Sequence, residues 1–214
     1  MKTLTKSMQN AITPSLALDL LQKGNQRFID NLKISRNLLQ QANETSDGQH
    51  PFAVILSCID SRTSVELIFD QGLGDVLSVR IAGTIINEDI LGSLEFGCKV
   101  VGAKIIVVLG HTKCGAIQGA CDDIKMGNLT ALLRKIEPAV TDEQTVTENR
   151  TSLNDEFVGK VSAIHVRKTV QAAIKGSPIL KELIESGACG IIGGNHDIST
   201  GEVSFYHDTM LGFL

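Results

Sequence analysis

The sequence predicts an α/β fold with a mainly parallel central sheet flanked by helices. Three observations predict it. Short apolar strand patterns alternate with segments of helical spacing along most of the chain. One strand, within AKIIVVLG (103–110), carries five apolar residues in a row, Ile105 to Leu109, as a parallel strand buried on both faces requires. The last two strand patterns are separated by the turn sequence Ser199-Thr200-Gly201, which suits a hairpin and an antiparallel edge.

The elements follow in order. Residues 14–33 space Leu18, Leu21, Phe28 and Leu32 as a helix, with Thr13 as N-cap and Pro14 at the first position. Residues 34–51 are polar and read as a loop with a short helical piece near Leu38–Gln41. A buried strand follows in PFAVILSC (51–58), and a second in DVLSVRIA (75–82). A helix spans Glu88 to Val101, ahead of the strand at 103–110. Further helices fall at 115–124, 128–137 and 153–175, and Pro178 opens another to about 186. ACGIIGG (188–194) and GEVSFY (201–206) are the last strands. The polar stretch 138–152 reads as a surface loop. With no repeat or linker, the 214 residues make one domain, with residues 1–50 as an N-terminal helical arm and 51–214 as the α/β core.

Composition narrows the function. With 43% hydrophobic and 21% charged residues, the chain is neither a disordered tail nor a coiled coil. A net charge of −4 and few aromatics speak against nucleic acid as a partner. No run of 18 apolar residues offers a membrane span, and the N-terminus lacks the apolar core of a secretory signal, so a cytoplasmic location is expected, or an organellar one if a transit peptide has been removed. Five cysteines, an odd number, argue for reduced thiols rather than a disulfide framework. The N-x-[ST] matches at Asn43, Asn128 and Asn149 are then chance occurrences.

Two segments carry chemistry, and each follows a predicted strand. S-C-I-D-S-R holds Cys58, Asp60 and Arg62; G-H-T-K-C-G holds His111 and Cys114. Parallel strands deliver such segments to the carboxyl edge of the sheet, where ligands bind. Cys58, His111 and Cys114 form a soft donor set suited to Zn²⁺. Three protein ligands leave one tetrahedral position for water, whose pKa the metal lowers toward neutrality. Arg62 is placed to hold Asp60 in a bidentate pair. So held, Asp60 stays ionised and off the metal; released, it would occupy the fourth position. An Asp60→Asn variant with full activity at neutral pH would defeat that role. Cys98, Cys121 and Cys189 read as small buried hydrophobes. His50, His165, His196 and His207 have no partner in a recognisable spacing, although His196, in G-G-N-H-D, is the candidate for proton relay.

At these residues the sequence resembles the β-class carbonic anhydrases. The resemblance runs from about Leu16 to Phe205 and includes C-I-D-S-R (58–62), V-R-I-A-G (79–83), E-D-I-L-G-S-L-E-F-G (88–97) and H-T-K-C-G (111–115). It implies a zinc lyase that interconverts CO₂ and bicarbonate by attack of zinc-bound hydroxide. Cys58, His111 and Cys114 would be the ligands and Asp60–Arg62 the catalytic dyad. It implies four parallel strands with a fifth at one edge, and an N-terminal helix packed on a partner subunit in a homodimer or homotetramer. Gln49, nine residues before Cys58, matches the glutamine of the plant-like type. That residue hydrogen-bonds a substrate oxygen, with the neighbouring subunit as a candidate source. The bicarbonate-gated type has Trp where this chain has Ile55. The apolar CO₂ pocket would comprise Leu77, Ala82 and Phe96, which are smaller than the plant-like residues or lack a hydroxyl. Gly115 would leave room beside the metal, and Thr84 stands where the family often has Asn.

Two other readings fit the same residues. One is a related zinc hydrolase acting on carbon disulfide or carbonyl sulfide. The other is a non-catalytic zinc protein with a closed site, which would need neither Arg62 nor Gln49. A zinc nucleobase deaminase lacks its H-x-E and P-C-x-x-C frame here.

Overall fold

A computed structural model describes residues 3–213. Five strands form one sheet: β1 (Ala53–Ser57), β2 (Val76–Arg80), β3 (Ile105–His111), β4 (Gly190–His196) and β5 (Val203–Leu211), in the order β2-β1-β3-β4-β5. The first four are mutually parallel, and β5 runs antiparallel to β4. The mainly parallel sheet expected from the strand patterns is the one observed.

Every residue of β3 is buried, because the strand is central and covered on both sides. Its side chains alternate between two cores. Ile105, Val107 and Leu109 pack with Ala53, Ile55 and Ile192 against α2 (Pro14–Ile29), through Ala17, Leu18 and Leu21. Ile106 and Val108 pack with Val54 and Leu56 on the opposite side. There they meet Leu94 of α5 (Glu88–Glu95), Val166 and Val170 of α9 (Asp155–Gly176) and Leu180 of α10 (Pro178–Glu185). A third apolar cluster gathers past the carboxyl ends of the strands. It joins Cys58 and Cys114 to Ile117 of α6 (Gly115–Cys121), Leu133 of α7 (Gly127–Leu133), and Phe157 and Val161 of α9. The carboxyl edge therefore has its own packed floor.

The N-terminal arm comprises α1 (Lys6–Ala11), α2 and α3 (Leu38–Glu44). The Thr13 hydroxyl accepts from the Leu16 N–H at 3.2 Å, as the cap assignment requires. In the single chain α2 covers its own sheet, with Ala17 and Leu21 fully buried. Its Gly24 faces the chain leaving α4 (Val65–Ile68): an added Cβ would lie 1.8 Å from the Phe69 carbonyl oxygen. Gly24→Ala is expected to push α2 off the sheet and cost about 3 kcal/mol of stability. The denaturant midpoint measures this; an unchanged midpoint would contradict the close approach.

Several elements differ from the sequence reading. The expected helix at 128–137 stops at Leu133, and α8 (Glu137–Asp142) occupies part of the stretch read as loop. The chain tightens into i→i−3 turns at Lys135 and Ile136, and Pro138 suits the start of the new helix. The helix from Glu88 keeps α-geometry only to Glu95 and widens over Phe96–Val101 before Gly102 ends it at φ +96°. α1 and α4 are too short to show a helical period. β5 continues to Leu211, beyond the apolar part of its pattern. No helix among the described residues is long and apolar enough to cross a membrane.

Candidate metal centre

The site is assembled at the carboxyl edge of the sheet. Cys58 is the first residue after β1, and His111 is the last of β3. Ser57 pairs with Leu109, so β3 runs two residues past the end of β1 and Cys58 follows at about the level of Gly110. Lys113 takes a left-handed turn at φ +55°, and Cys114 then leads into α6. The donor atoms of Cys58, His111 and Cys114 all lie within 4.8 Å of one another, and all three residues are buried. The two sulfurs are 3.9 Å apart.

The electrostatics of this cluster call for a cation. The His111 Nδ1–H donates to the Thr112 carbonyl at 2.9 Å, which fixes the tautomer. Nε2 is buried and has no hydrogen-bond partner. The two sulfurs lie within S–H···S distance of each other. A hydrogen bond from Cys114 lowers Cys58 to about 4, against the effect of burial, with help from His111 and from the N–H groups of Asp60 and Gly83. The same contact pushes Cys114 up. A divalent ion would let both sulfurs be thiolates and would satisfy Nε2.

Beside the cluster, Arg62 grips Asp60. Nε and the backbone N–H both donate to Oδ1 at 2.9 Å, and Nη2 donates to Oδ2 at 2.7 Å. These bonds hold the Asp60 carboxyl well below the usual carboxylate range, although burial opposes them. The bidentate pair expected from the C-x-D-x-R spacing is present.

A family model described as carbonic anhydrase matches residues 53–203, the span that contains this whole constellation. The chain belongs to the β-class carbonic anhydrase family. The "Carbonic anhydrase 2" of Mycobacterium tuberculosis is 35% identical over 197 residues, covering 88% of this chain and 90% of the relative. The carbonic anhydrase of Mycolicibacterium smegmatis is 32% identical over 197 residues, covering 89% and 92%. One of the two tetrameric β-carbonic anhydrases solved from Sordaria macrospora shares the fold with a TM-score of 0.69 at 22% identity, covering 76% of this chain and 84% of that one. The protein is thus a carbonic anhydrase that interconverts CO₂ and bicarbonate, with zinc as its cofactor, and the Cys–His–Cys cluster fits that ion.

Further residues of the carbonic anhydrase fold, which no motif singles out by role, support the site. Arg80, at the end of β2, donates through Nε to the Cys58 carbonyl at 2.9 Å and through Nη2 to the Asp60 carbonyl at 2.6 Å. The Thr63 hydroxyl bonds the same two carbonyls at 3.1 and 2.9 Å. Together they clamp the turn that carries both a thiol and the carboxylate. The signal was an arginine closing the strand beside C-I-D-S-R. His196 pairs with His111 across β3 and β4. It is buried with both ring nitrogens unpartnered, and burial, then the nearby His111, lowers it to about 4. It is therefore a neutral ring at physiological pH. A cavity of about 180 Å³ opens beside His111 and Cys114, lined also by Thr112, Ser162 and Asn195.

The remaining expected site residues divide into two groups. Gly115 and Ala82 lie near the ligand loops: Gly115 opens α6 with open space where a Cβ would be, and Ala82 follows the end of β2. Leu77, Phe96 and Gln49 do not join the cluster within one chain. Leu77 pairs with Val54, four residues before Cys58, which is roughly 13 Å along the strand. Phe96 is 54% exposed at the end of α5. Gln49 is exposed ahead of β1, at the edge of the sheet opposite Cys58. Cys98 and Cys189 are buried among apolar groups with sulfurs 3.6 Å apart, and Cys121 is half-buried.

Proposed function

We propose that Cys58, His111 and Cys114 hold the zinc, that Asp60 and Arg62 form the catalytic dyad, and that Gln49 acts on the site of a second copy of the chain. The observation that carries the ligand assignment is the unpartnered, buried ring nitrogen of His111 beside two buried thiols whose sulfurs are 3.9 Å apart. When bound, zinc supplies a Lewis acid that makes hydroxide available near neutral pH. Asp60 is ionised, held so by Arg62, and its carboxylate would accept a hydrogen bond from the attacking oxygen. Arg62 orients that carboxylate and keeps it from swinging into the open coordination position. Ala82 and Gly115 leave a small apolar space for a linear, uncharged substrate. The pairing of Gln49 with Ile55, in place of Trp, supports the plant-like type, which is active without bicarbonate gating. Five cysteines, an odd number, support a cytoplasmic location.

Action in trans follows from direction. Gln49 and Cys58 flank β1 at opposite ends, so a five-residue strand separates them, roughly 16 Å. A dimer that sets the Gln49 loop and Phe96 of one copy over the ligand loops of another completes the pocket. The tetrameric state described for the Sordaria macrospora enzymes is compatible with such pairs.

Stopped-flow CO₂ hydration, with zinc per chain measured on the same samples, tests this reading. One zinc per chain and high activity already at pH 7 are expected. Activity appearing only above about pH 8 would instead indicate Asp60 on the metal, since a free site generates its nucleophile near neutrality. Gln49→Ala alone is expected to lose about 10²-fold, as for a lost oxyanion donor. Co-expressing it with a Cys58→Ser chain should restore activity well above that of either homo-oligomer. No restoration in the mixed oligomer would place Gln49 in its own chain's site.

A further inference from the structure

Behind the ligand loops lies a turn held in an unfavourable backbone conformation. Gly83 and Thr84 are consecutive residues with φ of +68° and +54°. A left-handed conformation is costly for a β-branched residue such as Thr, and it persists only where its surroundings impose it. The turn touches both halves of the metal centre. The Ile81 N–H donates to the Ser57 carbonyl at 3.0 Å, immediately before Cys58. Gly83 faces Ala116, two residues past Cys114: a Cβ at Gly83 would lie 3.1 Å from that of Ala116 and 2.7 Å from Ile136 Cδ1.

Two side chains of α9, one helical turn apart, grip this turn. His165 Nε2 is 2.8 Å from the Gly83 carbonyl oxygen, and the Thr169 hydroxyl is 3.4 Å from the Thr84 carbonyl oxygen. A carbonyl only accepts, so His165 must carry its proton on Nε2. From the other side, the Thr84 hydroxyl donates to the Leu109 carbonyl of β3 at 3.3 Å. His165 is 4% exposed, and its removal would leave the Gly83 carbonyl without this buried donor.

We infer that His165 is a positioning residue for the metal centre: as an Nε2–H donor on α9 it locks the Gly83–Thr84 turn against the segments carrying Cys58 and Cys114. Thr169 is the second grip. The imidazole does this uncharged, because burial lowers its pKa. The lock keeps the Ile81 N–H on the Ser57 carbonyl, next to Cys58, and Gly83 against Ala116, two residues past Cys114. A relaxed turn would loosen both contacts. The inference rests on the ligand assignment above, and its test separates the two.

Full-length wild type, His165→Leu, His165→Gln and Thr169→Val are loaded with zinc, and transfer to a chelating dye is timed. Parallel samples are loaded with cobalt(II) for visible spectra. His165→Leu keeps an apolar side chain of similar size but no donor. It should lose zinc about tenfold faster than wild type, in the range for outer-shell partners of metal ligands. Its cobalt–thiolate bands should shift. Gln, which can donate to the same carbonyl, should recover most of the difference. If His165→Leu does not fold, Thr169→Val carries the test, with a smaller loss in the same direction. Wild-type zinc retention and cobalt bands in a folded His165→Leu would overturn the inference. So would a Gln variant no better than Leu at equal thermal stability, or an unaltered Thr169→Val. A wild-type protein that binds no zinc would instead overturn the ligand assignment.

Discussion

Cys58→Ser is expected to release zinc and to lower kcat/KM for CO₂ hydration by about 10³-fold or more, a loss of about 4 kcal/mol in transition-state stabilisation. The reason lies in the donor set. Cys58 is the more readily ionised of the two thiols, because Cys114 donates to it and because His111 and two backbone N–H groups face it. A serine hydroxyl there would stay protonated and offer a hard, weak donor where a soft thiolate had been. His111 and Cys114 alone cannot complete a tetrahedral site. The fold should survive, since Ile117, Leu133, Ile136 and Phe157 pack the floor beneath the cluster. Zinc content by atomic emission and far-UV circular dichroism on one sample separate metal loss from unfolding. A folded Cys58→Ser protein with one zinc per chain and near-normal turnover would remove Cys58 from the ligand set.

A second large effect, on stability, is expected away from the site. Asp70 is 4% exposed at the end of α4, yet it is charged. Arg36 Nη1 and Arg27 Nε reach its two carboxylate oxygens, each at 2.5 Å, and the Ile34 N–H adds a bond at 3.3 Å. Arg36 also bonds the Asp70 backbone carbonyl at 2.5 Å, which ties the loop after α2 to α4. Arg36→Leu leaves that buried carboxylate half-paired and should cost about 3 kcal/mol, since breaking a buried ion pair is worse than never having built it. The pH dependence has a definite sign. Burial raises the Asp70 pKa, but the bonds from Arg36 and Arg27 outweigh it, and the net shift is downward. The native state therefore binds this proton less readily than the unfolded chain. Its contribution is fully present above the unfolded carboxyl value of about 3.9 and is lost as pH falls through the lower folded value. Urea titrations from pH 7 to pH 2 should show the gap between wild type and Arg36→Leu closing below about pH 4. A gap that stays constant to pH 2 would show that Arg36 acts through packing alone.

Much of this enzyme was legible in its sequence for local reasons. An uninterrupted apolar run such as Ile105–Leu109 can only be a central strand or a buried helix, and its length and β-branched residues decide for a strand. Thr13-Pro14 and Pro178 mark helix starts through chemistry within one turn, and helices begin at Pro14 and Pro178. Cys58, His111 and Cys114 stood out because soft donors directly after two strands have few other uses. Short helices such as α1 and α4 were hidden because a few residues cannot display a period. Helix α8 was masked by its polar composition.

What the sequence by itself determined was the parallel sheet, the donor types and the Asp60–Arg62 spacing, all of which depend on neighbours a few residues apart. Only the tertiary structure decided that Arg80 clamps the Cys58 turn and that α9 reaches Gly83 through His165. Those relations join residues many positions apart through strand register and helix packing. Their strength comes from buried carbonyls and donors that must find partners once water is excluded, and that demand arises only when the chain has closed around them.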